Sequence, residues 1–137
     1  MNVLKNKVLV IFLLVFSICF ISCGKKELPE PNQYGISATS TTIEKALKHI
    51  IVDSSYKRLT NNLRLPLEAD GKYLIKWSVS ENDYASIKLY GEDSVLVVKR
   101  HDTEYIKFEL IAAIESEDGR DYGVRTWVCY IAPKIYR

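Results

Sequence analysis

Few residues in this sequence are of a type that does chemistry. There are three cysteines, at 19, 23 and 129, two histidines, at 49 and 101, and one close run of acids, Glu115, Glu117, Asp118 and Asp121. Cys23 stands apart from the rest by its position. It closes Phe20-Ile21-Ser22-Cys23, where an apolar run from Val8 to Phe20 gives way to Gly24-Lys25-Lys26-Glu27. Lys5 and Lys7 precede that run, so the three parts of an export signal follow in order: a positive stretch, an apolar stretch and a small-residue junction. An uncleaved membrane-spanning helix is the competing reading. It needs about 20 apolar residues, and the run supplies only about 13 to 16.

The other candidates are weaker. His49 falls on the polar side of a helical pattern, with no Cys or His four residues away, which is the setting of a solvated surface histidine. His101-Asp102 looks like a fragment of a catalytic triad. Sequence neighbours point to opposite faces of an extended chain, however, and no Ser or Cys nucleophile is marked. The acids from Glu115 to Asp121 could offer oxygens to calcium, but Arg120 sits among them and their spacing matches no calcium loop. They read as a solvated turn, and no metal or other cofactor is expected.

The junction at Cys23 resembles a bacterial lipoprotein signal, in which an apolar residue, a second small or apolar residue and a Gly, Ala or Ser precede a cysteine that is diacylated on sulfur and becomes the first residue after cleavage. Ser22 and Cys23 fit this pattern; Phe20 stands where Leu is commoner. The resemblance implies cleavage between Ser22 and Cys23, lipidation of Cys23, and a membrane-anchored location on the periplasmic or cell-surface side. Acyl chains hold a protein at about 0.8 kcal/mol per buried CH2, so two or three chains anchor it stably. Cys19 leaves with the signal and Cys23 carries lipid, so Cys129 has no disulfide partner and reads as a small buried hydrophobe. Two lysines and no acid leave with residues 1–22, so the 19 Lys+Arg fall to match the 17 Asp+Glu. A balanced surface has no electrostatic footprint for nucleic acid and no polybasic patch for anionic lipid.

Three segments are expected: the signal (1–22), a lipidated cysteine with a flexible tether (23–41), and one domain (42–137). Pro29, Pro31 and many small polar residues mark the tether, which at about 3 Å per residue could hold the domain some tens of ångströms from the bilayer. Thr41 or Thr42 would cap a helix over about 42–52, with Ile43, Ala46, Leu47, Ile50 and Ile51 on its buried face. After it the period changes from helical to two, and strands run to the end. Asn61 to Pro66 is a short strand. Tyr73 to Ser80 alternates, with Tyr73, Ile75, Trp77 and Val79 inward and Trp77 central to the core. Tyr84 to Tyr90 is a weaker strand or loop, and Ser94 to Val98 a fully buried one. Tyr105 to Glu115 turns Ile106, Phe108, Leu110, Ala112 and Ile114 inward, and it forms a hairpin with Tyr122 to Ile131. Six or seven short strands separated by turns indicate an antiparallel sandwich or barrel.

The succession Leu63-x-Leu65-Pro66, Gly71-x-x-x-Ile75-x-Trp77-x-x-Ser80, Val95 to Val98, Phe108-x-Leu110-x-Ala112-x-Ile114 and Trp127-x-Cys129-x-Ile131 resembles the atrophied bacterial immunoglobulin-like domain. The resemblance covers residues 42–132 and implies an all-β, Ig-like antiparallel β-sandwich preceded by one short α-helix. Domains of that family occur in secreted or lipid-anchored bacterial proteins, often beside glycoside hydrolase domains, and their signature residues pack and do not catalyse. The expected function is accordingly a non-enzymatic, lipid-anchored envelope module that contacts glycans or a partner protein. Tyr84, Tyr90, Tyr105 and Tyr122 are its candidate solvent-facing aromatics. An accessory or inhibitor subunit of an envelope complex is the alternative. A small envelope hydrolase would need a nucleophile, a base and oxyanion donors in one cleft, and the sequence marks no such set.

Overall fold

Alternating residues from Ile106 onward and the matching run from Tyr122 build the longest hairpin of the protein, and the remaining elements assemble on it. The computed structural model describes residues 27–135. In chain order these form strand β1 (Ile36–Ala38), helix α1 (Thr41–Lys48), a 3-10 turn (Ser54–Lys57), β2 (Leu63–Leu65), β3 (Glu68–Ala69), β4 (Tyr73–Leu74), β5 (Lys76–Val79), β6 (Ala85–Tyr90), β7 (Asp93–Val98), β8 (Ile106–Glu115) and β9 (Tyr122–Ile131). The result is mostly β, with antiparallel sheets and one α-helix among the described residues, a sandwich-like fold.

One sheet has the order β1-β9-β8-β5 and the other β2-β7-β6, while β3 and β4 form a small separate ribbon. In the first sheet the register aligns Ile114 with Gly123, Ala112 with Arg125 and Trp77, Leu110 with Trp127 and Val79, and Phe108 with Cys129. These residues share its inner face. Leu65, Leu96 and Ala85 of the second sheet join the same core, as do Ile43, Ala46 and Leu47 of α1. Gly123 is required where the helix lands: a Cβ there would lie 2.9 Å from Ile43 Cγ2 and 2.8 Å from the Ser37 carbonyl.

The structure moves several sequence-based boundaries. The expected tether, 23–41, holds part of the fold: β1 pairs with β9, and the domain begins before the helix. Asn32 explains how. Its N–H donates to the Ile36 carbonyl at 2.8 Å, and its Oδ1 accepts from the N–H groups of Ile36 and Tyr34. This turn folds the chain back along the free side of β1 and satisfies an otherwise open sheet edge. Gly35 makes it possible, at φ +72° and with its carbonyl bonded to Thr126 N–H.

Helix α1 is capped by Ser40, not Thr41 or Thr42: the Ser40 hydroxyl accepts from Ile43 N–H at 3.2 Å. It ends at Lys48 with His49 as its cap, so Ile50 is still buried but Ile51 lies past the helix and is 84% exposed. Tyr84 to Tyr90 is no loop, for β6 pairs along its whole length with β7. Strand β7 is not buried on both faces; only Ser94 and Leu96 are buried, because its sheet covers a core on one side. Trp77 packs against the core but is half-buried, held by its indole N–H to the Pro66 carbonyl at 2.8 Å. Trp127, its ring 5.6 Å away, is the more deeply buried indole. The Asp70-Gly71 turn forms as expected, both residues at positive φ and Lys72 N–H bonded to the Ala69 carbonyl.

Candidate functional site

Ser22 and Cys23 lie outside the described residues. What the structure does define is the place from which the chain would reach them. The Ser37 hydroxyl, on the outer face of the four-stranded sheet, donates to the Pro29 carbonyl. Strand β1 is an edge strand, so the N-terminal stretch leaves the domain at the margin of that outer face. No helix among the described residues is long and apolar enough to cross a membrane.

The four candidate tyrosines do not converge. Tyr90 is 57% exposed at the β6–β7 tip, opposite Asp93. Tyr84 lies at the other end of β6 and is half-buried against the core, its ring meeting His101 edge-on at 5.8 Å. Tyr105, 50% exposed, follows the charged turn, and its hydroxyl accepts from Arg58 Nε at 3.3 Å. Tyr122 contradicts the solvent-facing expectation: as the first residue of β9 it is buried, with its N–H donating to Thr39 Oγ1 at 3.0 Å. The surface aromatics left from that set are therefore Tyr90 and Tyr105.

Hydrogen bonding assigns the histidines other tasks. His101 Nδ1 accepts from Thr103 N–H at 3.1 Å and Glu104 N–H at 3.0 Å, which folds the charged turn and occupies the nitrogen a triad would direct at its acid. Asp102 faces Lys134 instead, 3.3 Å from its Nζ. Next door, Arg100 donates to the carbonyls of Ala132 and Pro133, tying the turn to the C-terminal stretch. His49 is exposed as expected, yet it has an acidic partner the local sequence does not show, Asp70 Oδ1 at 2.9 Å. Of the acids about the β8–β9 loop, Asp121 Oδ1 accepts from Thr39 Oγ1 at 3.1 Å, and Asp118 is bound within the loop. Asp118 Oδ1 accepts from Ser116 Oγ at 2.7 Å and Arg120 N–H at 3.0 Å, and these bonds hold its carboxyl below the usual range. Cys129 is wholly buried, and desolvation pushes its thiol up to about 12.

Arg125 is the residue that sequence reasoning missed. It points into the inner face of the sheet, where Nη1 donates to the carbonyls of Leu47 at 2.9 Å, Lys48 at 3.2 Å and Ile50 at 3.1 Å. Leu47 and Lys48 are the last residues of the helix and Ile50 follows it, so the guanidinium closes the C-terminal end of α1. The guanidinium also stacks 4.6 Å over the Trp127 ring, and burial lowers its pKa, with Tyr56 acting in the opposite direction. The signal was present in the alternation of β9, which puts Arg125 in phase with Trp127 and Cys129.

No protein-family model, no curated protein and no solved structure matches this chain. The reading of its function rests on its own residues.

Proposed function

We propose that the protein is a lipoprotein of the bacterial cell envelope, lipidated at Cys23 after cleavage at Ser22. It carries a non-catalytic, immunoglobulin-like sandwich that contacts envelope glycan or a partner protein. The observation that carries this reading is the order of Lys5 and Lys7, the apolar run Val8 to Phe20, and Ser22-Cys23. The arrangement of the domain supports the non-catalytic part. The His101 Nδ1 lone pair is engaged by two backbone donors and the Cys129 thiol is buried in its neutral form, so neither is set up to attack a substrate. Tyr105, half exposed, offers an aromatic face for a sugar ring or a protein side chain.

Labelling cells with a fatty-acid analogue tests the anchor. The wild-type protein takes up label, whereas Cys23→Ala stays as unlabelled precursor; equal labelling of the two refutes the reading. For the domain, a glycan array and capture from envelope extracts should report binding that Tyr105→Ala weakens. Silence in both assays removes the binding role.

A further inference from the structure

The outer face of the four-stranded sheet leaves two large apolar side chains exposed, Val128 and Tyr130 near the end of β9. The helix and the three-stranded sheet both cover the inner face. Outward in β8 and β9 point Ile111, Val124, Val128 and Tyr130; Ile111 and Val124 are buried, whereas Val128 is 43% exposed and Tyr130 38%. Thr126 lies between the buried Val124 and the exposed Val128, across from Ile111, so the exposed part of this stripe is its Val128–Tyr130 end. Pro29 is held at Ser37, which aligns with Val124 in the register. The N-terminal stretch therefore leaves the domain beside the upper end of this stripe.

We infer that this face lies against the bilayer to which Cys23 attaches the protein, with Val128 and Tyr130 in contact with the lipid interface. The inference rests on the lipoprotein reading and deepens it. Its basis is the length of chain left outside the fold. Five residues separate Cys23 from Pro29, six Cα-to-Cα steps with a reach of about 20 Å at full extension, far less than a tether ending at residue 41 would allow. Ten residues of β9 span about 33 Å, so the anchor emerges within one sheet length of every residue on the stripe. Such a short link holds the face at an effective concentration of order millimolar, at which weak apolar contact is enough to keep it docked. Tyr130 has the amphipathic ring suited to the lipid–water boundary. Lys76 and Lys107 share the face with Glu109 and Glu115, so attraction to headgroup charge contributes little and docking should be insensitive to salt.

Site-directed fluorescence on the mature, lipidated protein in vesicles of phosphatidylethanolamine and phosphatidylglycerol tests this. An environment-sensitive dye is placed on Val128→Cys, on Tyr130→Cys as a second reporter, and on Lys88→Cys in the other sheet as control. Cys129 is buried and Cys23 is acylated, so only the introduced thiol reacts. The expected result is blue-shifted emission at 128 and 130, with several-fold stronger quenching by brominated lipid than at 88, unchanged at high salt. Equal quenching at all three positions in protein that still floats with vesicles overturns the inference and leaves the lipoprotein reading standing. Disulfide crosslinking between two Val128→Cys chains with no lipid quenching also overturns it, showing a second copy on the face. Protein that does not float with vesicles refutes both.

Discussion

Replacing Arg125 with methionine is the most informative perturbation of the domain. The guanidinium is the one side chain that joins the helix end, the sheet and the stacked indoles. Its Nη1 serves three carbonyls, those of Leu47, Lys48 and Ile50. One nitrogen cannot contribute three full bonds, so the loss is counted as one to two charge-assisted bonds at about 1.5–3 kcal/mol each. Loss of the stacking on Trp127 adds about 0.5–1 kcal/mol. Two effects oppose this. Water can reach the exposed Lys48 and bond its freed carbonyl, and methionine avoids the desolvation that already depresses the Arg125 pKa. Arg125 Nε, buried with no hydrogen-bond partner, is a further cost that methionine removes.

The balance is a destabilisation of about 2–3 kcal/mol, a large share of the roughly 5–15 kcal/mol that holds a domain folded. With a urea slope of about 1–2 kcal/mol/M, the unfolding midpoint should fall by about 1–3 M. Arg125→Lys keeps the charge but not the planar fork, so its midpoint should fall between wild type and the methionine variant. Amide exchange adds a local measure: the backbone amides of α1 should lose protection more than those of β6 and β7. A midpoint shift below about 0.3 M for Arg125→Met would refute the reasoning and make the network neutral to stability.

Gly123→Ala should cost about 1–3 kcal/mol in the same urea assay, because the new methyl meets the Ser37 carbonyl, Ala38 Cβ and Ile43 Cγ2 at 2.8–2.9 Å. Cys129 should resist thiol reagents at pH 8 in the folded protein and react fully in denaturant. Its folded pKa of about 12 lies above that of an unfolded cysteine, so stability is undiminished below the unfolded value of about 8.5 and declines as pH rises from there towards 12, by at most about 1.4 kcal/mol per pH unit. The Asp118 carboxyl should titrate below the ordinary aspartate range by NMR, and Ser116→Ala should move it back up. Because its folded pKa is depressed, the contribution of Asp118 is present above the unfolded value and is lost as pH falls through the folded one.

Side-chain alternation made the long hairpin readable in the sequence. Phe108, Leu110, Ala112 and Ile114 are buried as their spacing requires, and the Asp70-Gly71 turn follows from two residues that tolerate positive φ. Features that depend on distant partners were not readable. Ile36–Ala38 is too short to show a period, and becomes a strand because β9 has a free edge and Asn32 closes the other side. The His49–Asp70 contact spans 21 residues. Among the tyrosines the sequence supplied the type but not the exposure. Tyr122 differs from Tyr105 because it begins a strand and its N–H is bound by Thr39, whereas Tyr105 precedes one.

The earlier start of the fold changes what the anchor at Cys23 would do. A tether ending at residue 41 would let the domain sample all orientations and reach well beyond the headgroups. With Pro29 already held by Ser37, an acylated Cys23 would fix one side of the sandwich near the membrane and limit how far the rest could travel. Tyr105, just before β8, would then lie within about one domain diameter of the bilayer. Lengthening the chain between Cys23 and Pro29 with a Gly-Ser segment should therefore leave lipidation intact and abolish lipid quenching at position 128. Binding to a glycan or partner close to the membrane should weaken at the same time. Unchanged quenching with the longer tether would mean that the face docks by its own affinity and that confinement contributes nothing.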